Sequence, residues 1–103
     1  MDALQVVSEP RRREILRLVW DQERSAGDIA GRFDVTFGAV SQHLAVLRHA
    51  GFVQTRREGN RRLYRADRAT LGPLVPLLEA MWSDTLDRLA MAVEADEDGR
   101  GRP

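Results

Sequence analysis

Cysteine is absent from all 103 residues, which excludes a disulfide framework, a thiolate metal site and a thiol nucleophile. Lysine is absent as well, so the sixteen basic residues are all arginine. No apolar run approaches the roughly 18 residues that a membrane span needs. The first ten residues also lack the basic segment followed by a hydrophobic one that marks a secretory signal, so a soluble, unprocessed, cytoplasmic chain is expected. The two histidines, His43 and His49, stand six apart, face different directions on a helix and cannot chelate together. No nucleophile has an evident base partner, and neither a phosphate-binding glycine loop nor a cofactor motif is present, so no catalytic residue, cofactor or enzyme activity is expected. The length leaves room for one small domain with a modest core and none for a second.

What is present is an uneven distribution of charge behind a formal net charge of zero. Residues 11–68 hold thirteen Arg against seven Asp and Glu, and residues 69–98 hold Arg88 against seven acids. A basic body joined to an acidic segment suits polyanion binding by the first part and a different role for the second.

The apolar spacing predicts a helix over about residues 9–21, capped at Ser8 with Pro10 in its first turn and carrying Ile15, Leu16, Leu18 and Val19. Ser25 can cap a second, shorter helix that ends near Phe33, with Ala26, Ile29, Ala30 and Phe33 on one face. Asp34 and Val35 form a tight turn, after which Thr36 can cap a third helix with Val40, Leu44 and Leu47 inward; Gly51 stops it. The period then changes to 2, and residues 52–57 and 61–66 read as a two-stranded hairpin around Glu58, Gly59 and Asn60. Residues 2–7 can form a short leading helix. Beyond Thr70 a long amphipathic helix is expected, its regular part beginning between Pro73 and Pro76 because Pro76 has no amide hydrogen to donate. The fold class is therefore mostly α with a small β-hairpin: a winged helix-turn-helix with a long C-terminal helix over residues 1–95, and a disordered tail over 96–103.

That order of elements carries the functional reading. A helix entering the major groove needs small and polar residues near its N-terminus, where side chains reach base edges and free amides meet phosphates. Thr36, Phe37, Gly38, Ala39, Ser41, Gln42 and His43 occupy that stretch of the third helix, which spans about residues 36–50. Gln42 can pair with adenine through two hydrogen bonds, Ser41 can bond to a base or a phosphate, and Gly38 lets backbone approach the duplex. Arg56, Arg57, Asn60, Arg61 and Arg62 cluster in the hairpin, where a wing lies against phosphate or in the minor groove. The implied partner is double-stranded DNA. The alternative is a winged-helix module for protein interaction without DNA binding, which has no need of a concentrated basic wing.

Four stretches, Ser8 to Leu16, Asp28 to Ala30, Val40 to Val53 and Arg57 to Tyr64, together resemble the ArsR/SmtB family of bacterial winged-helix repressors, with a match over roughly residues 4–93. The combination of Val40-Ser41-Gln42-His43-Leu44 with Leu47, Ala50-Gly51 and the wing is what makes the resemblance specific. It implies a homodimer formed by the first and last helices, binding to an inverted-repeat operator and release by an effector, here unknown. Departures from the family pattern are equally plain. Ser25 and Gly27 stand where metal sensors carry Cys-x-Cys, and the last helix offers Glu79, Asp84, Asp87 and Glu94 but no histidine, so no metal site is expected. Asp34 replaces the usual turn glycine. Phe37 stands where a polar groove residue is common, either to touch a thymine methyl or to fold back onto the core.

The last helix carries a wider apolar stripe than so small a body needs, and a second copy of the chain is the partner the resemblance implies. Leu74, Leu78, Met81, Trp82, Leu86, Leu89 and Val93, together with Leu4 of the leading helix, are the candidate dimer-interface residues.

Overall fold

Each short helix is held by a cap that its own sequence supplies. The computed structural model describes residues 1–83; the tail expected over 96–103 and the stripe positions Leu86, Leu89 and Val93 lie outside the described residues. The chain divides into two compact units, Met1–Gly72 and Pro73–Pro103.

In the first unit, α1 (Ala3–Ser8) starts with a reciprocal capping box: Asp2 Oδ1 accepts from the Gln5 amide at 2.8 Å, and Gln5 Oε1 accepts from the Asp2 amide at 2.9 Å. Six residues cannot sustain a helix alone, and its terminal carbonyls would be orphaned. Two arginines of the next helix answer that need. Arg12 Nε donates to the Val6 carbonyl at 2.6 Å, and Arg13 Nη1 donates to the Val7 and Ser8 carbonyls, both at 2.9 Å.

The second helix, α2 (Pro10–Leu18), is capped by Glu9, not Ser8 as expected: the Glu9 carboxylate accepts from the Arg12 amide at 3.0 Å. Pro10 restricts its predecessor to extended backbone, which is the conformation an N-cap requires, so Glu9 takes the role. Ser8 instead ends α1, its hydroxyl donating to the Gln5 carbonyl at 2.8 Å.

After β1 (Arg24–Ser25), Ser25 caps α3 (Ala26–Ala30) as expected, its Oγ accepting from the Asp28 amide at 3.1 Å. The helix ends at Ala30 and not near Phe33, so the connection to α4 (Phe37–His49) is longer than a tight turn. Thr36 caps α4, and Gly51, with φ of 80°, adopts the left-handed conformation that stops it.

Strands β2 (Val53–Glu58) and β3 (Arg61–Ala66) form the expected hairpin, with Arg57 opposite Arg62 and Glu58 opposite Arg61. Gly59, at φ 60°, supplies the positive φ that a two-residue turn demands at its first central position. The sheet has three strands, not two, in the order β1-β3-β2, because Arg24 and Ser25 pair with Tyr64 and Leu63. A two-residue strand has no periodicity to read; only the return of β3 creates it.

The core gathers Ile15, Leu16 and Val19 of α2 and the residue after it, Ile29 of α3, Val40, Leu44 and Leu47 of α4, and Phe52, Leu63 and Tyr64 around the wing. A further short helix, α5 (Arg68–Leu71), unforeseen in the sequence, is capped by Asp67 and ends at Gly72 with φ 53°. In the second unit residues 74–83 are helical, starting within the interval that the prolines predict.

Candidate nucleic-acid interface

Burial of Val40, Leu44 and Leu47 fixes the rotation of α4, and with a repeat of 3.6 residues per turn it turns Phe37, Gly38, Ser41 and Gln42 outward. All four are exposed, whereas Ala39 is half-buried. Thr36 Oγ1 accepts from the Ala39 amide at 3.1 Å, a cap whose loss would cost about 1 kcal/mol. Among the described residues the amides of Phe37 and Gly38 have no intrachain acceptor, so the first turn of α4 presents two N–H groups and the positive end of its dipole to the outside.

Phe37 does not fold onto the core: it is 57% exposed, an uncommon setting for a large aromatic. Nothing inside the chain requires glycine at position 38 either. A Cβ there would meet nothing closer than Thr36 Oγ1 at 3.9 Å, and its φ is not positive.

His43 is placed differently from its neighbours. Its Nδ1 stands 3.5 Å from Arg12 Nη1 and its Nε2 3.8 Å from Glu9 Oε2, so the half-buried ring lies at the junction of α1 and α2 and not on the outward face. Glu9 caps α2 and Arg12 holds the end of α1, so His43 joins α4 to both. His49 is exposed, with Nδ1 2.8 Å from the Ala45 carbonyl.

In the wing the clustered arginines separate into two kinds. Arg56 is tied to Glu23 by two contacts of 2.7 and 2.8 Å and to Glu58 at 3.1 Å. Those carboxylates, Glu23 first, hold its guanidinium well above the ordinary arginine pKa, and Arg56 in turn holds Glu23 below the usual carboxylate range. Arg56 thus fastens the wing to the segment before β1. Arg61 pairs with Glu58 at 3.2 Å. Arg57 and Arg62 stand directly opposite each other and, among the described residues, have no ion pair. Like charges in that relation repel unless an anion lies between them. Asn60 completes the exposed tip beside Gly59.

The same sorting applies to the basic body as a whole. Arg17 is paired with Glu14, Arg24 and Arg32 with Asp28, and Arg68 with Asp21 while lying 5.0 Å over the Trp20 ring. Further exposed arginines lie outside the predicted set, Arg11, Arg48 and Arg65, the last of which helps Arg56 to lower the Glu23 pKa. Arg48 is exposed seven residues after Ser41, two turns along the same face, a spacing that could have been read; Arg65 is exposed on β3. Ser25 and Gly27 lie at the start of α3, where Ser25 serves as a cap. Among the described residues no group of three or more His, Asp or Glu is arranged to hold a metal ion.

Of the candidate dimer residues, Leu4 is 65% exposed and Met81 39% exposed, Trp82 is half-buried, and Leu74 and Leu78 are buried within the single chain. Leu77, not among the candidates, is exposed.

Comparison with known proteins gives a consistent picture. The family model described as bacterial regulatory protein, arsR family, matches residues 9–55. The chain is 33% identical over 79 residues to the transcriptional activator HlyU of Vibrio cholerae, spanning 77% of this chain and 73% of that protein. It is 34% identical over 58 residues to the transcriptional repressor SdpR of Bacillus subtilis, spanning 56% and 64%. Among solved structures, the homodimeric winged helix-turn-helix DNA-binding domain of Mb0332 from Mycobacterium bovis superimposes with a TM-score of 0.60 at 31% identity, covering 81% of this chain and 73% of that one.

Proposed function

The chain belongs to the ArsR family of bacterial regulatory proteins, and from that premise we propose that it is a homodimeric, sequence-specific, DNA-binding regulator of transcription, acting as a repressor in the cytoplasm and not as an enzyme. Residues 1–95 form its DNA-binding and dimerisation domain. The helix α4 enters the major groove with Phe37, Gly38, Ser41 and Gln42 toward the bases, Thr36 and Ala39 forming the capped turn beside them, and the wing lays Arg57, Asn60, Arg61 and Arg62 on phosphate. Arg56 and His43 act behind that surface, the first by holding the wing and the second by holding α4.

The observation that carries this reading is the pair Arg57 and Arg62, opposed and without an ion pair among the described residues on the hairpin that follows α4. Two such pairs, one per protomer, track the two half-sites of an inverted repeat about 34–36 Å apart. With Leu77 added, the candidate dimer residues that are not buried are Leu4 in the first unit and Leu77, Met81 and Trp82 in the second; Leu86, Leu89 and Val93 remain candidates from the sequence pattern alone. Neither a cofactor nor a transition metal is part of the proposal, because the chain supplies no thiolate and no histidine outside α4.

The test is a salt titration of binding to a duplex selected from a randomised pool. Arg57→Ala with Arg62→Ala should weaken binding to selected and random duplex alike and flatten the dependence of log affinity on log salt by about two units per half-site pair lost. An unchanged slope, or no salt-dependent DNA binding by the parent protein, overturns the proposal. Transcription in vitro from a promoter overlapping the selected site should fall when protein is added; a rise would make the protein an activator.

A further inference from the structure

We propose that Phe37 is a specificity-determining residue that reads the C5 methyl group of a thymine in the operator. The inference rests on the DNA-binding reading above and adds to it one named side chain and one named chemical group. Phe37 is the first residue of α4, where phenylalanine is a middling helix former, and it is 57% exposed, so it neither builds the helix nor fills the core. Its neighbour Gly38 is also a poor helix former, and the space beside it is open. Two residues that do little for the free protein thus sit together at the tip of α4, whose first two amides have no intrachain acceptor among the described residues. Glycine lets that tip come close to another surface, and the ring then supplies an apolar contact.

The major groove offers few apolar features, and the thymine methyl is the one that protrudes from a base edge; the other bases present hydrogen-bonding groups and, at cytosine, only a C5–H in its place. Phe37 therefore has one matching group in B-form DNA. Position also bears on which thymine. Phe37 and Gln42 are five residues apart, about 7.5 Å along the helix axis. The methyl group that Phe37 reads therefore lies in the same half-site as the base that Gln42 would read.

Uracil differs from thymine only in lacking that methyl group, so the test is chemical. A duplex selected by the full-length protein from a randomised pool is resynthesised with deoxyuridine at each thymine in turn, and binding is measured for the parent, Phe37→Leu and Phe37→Ala. The parent should lose affinity about fourfold per half-site at one symmetry-related step, the worth of one buried methyl group. Phe37→Ala should bind the thymine duplex more weakly and show no further loss with uracil, while Phe37→Leu keeps part of the discrimination. Because Phe37 is exposed, both variants should melt like the parent, and circular dichroism checks it. If no thymine responds to uracil, or if Phe37→Ala still discriminates, the inference fails while the DNA-binding reading stands. If no duplex is enriched from the pool, it is the DNA-binding reading that fails.

Discussion

Gly38→Ala separates what the folded chain wants from what a bound duplex wants. In the free protein the substitution should be favourable. The new Cβ meets no atom closer than 3.9 Å, and the backbone at Gly38 is not among the positive-φ positions, so alanine adopts it without strain. Replacing glycine at such a site narrows the unfolded ensemble and raises stability by about 0.4–1 kcal/mol. For a domain of this size that corresponds to a rise in Tm of about 2–8 °C, compared at equal protein concentration because a dimer melts in a concentration-dependent way. On DNA the sign reverses. If the α4 backbone lies in van der Waals contact with a base or sugar, the added methyl group must force a shift, and overpacking of that kind costs about 1–3 kcal/mol. The expected loss of affinity is about 5- to 150-fold per half-site. Differential scanning calorimetry and fluorescence anisotropy with the selected duplex read the two effects separately. A variant that is more stable and binds DNA as well as the parent would refute the reasoning, since glycine would then have no task at position 38 in either state.

Three further outcomes are expected. Gln42→Ala should cost about 1–3 kcal/mol on the selected duplex and little on random DNA if the amide reads a base, with Ser41→Ala weaker in the same direction; equal losses on both duplexes in a binding isotherm would assign the pair to phosphate. Trp82→Glu, which places a charge in an apolar stripe where the sequence offers no basic neighbour other than Arg88, should yield monomers or unfolded chain in sedimentation and lower the affinity for DNA with them; an intact, operator-binding dimer would remove the last helix from the interface. Glu23, held below the ordinary carboxylate pKa by Arg56, contributes stability that is present above that ordinary value and is lost as pH falls through the lowered one. Carboxyl NMR titration should therefore find Glu23 back in the usual range in Arg56→Gln, and no movement would show that the ion pair does not form in solution.

Strong local signals sufficed for the main elements, although Glu9 and not Ser8 caps α2 and α3 ends at Ala30 and not near Phe33. The period of 3.6 placed α4 with Val40, Leu44 and Leu47 inward, Thr36 and Ser25 announced their caps, and Gly51 and Gly59 marked the end of α4 and the hairpin turn, two of the three glycines with positive φ. The residue pattern from Ser8 to Tyr64 also sufficed to suggest the family, because a helix-turn-helix followed by a hairpin is an order of elements and an order survives without coordinates.

The tertiary structure decided what depends on neighbours distant in the chain. Strand β1 exists only because β3 returns to pair with Arg24 and Ser25. Phe37 had two readings until the filled core left it outside. His43 looked like one more groove residue until the folding of α1 and α2 set Glu9 and Arg12 beside its ring. The arginines show the same limit most clearly. Composition counts every guanidinium alike, but a carbonyl at the end of α1 or a carboxylate 33 residues away engages Arg12, Arg13 and Arg56, and only packing leaves Arg57 and Arg62 without an ion pair among the described residues. Charge is a property of a residue, whereas availability of charge is a property of its surroundings.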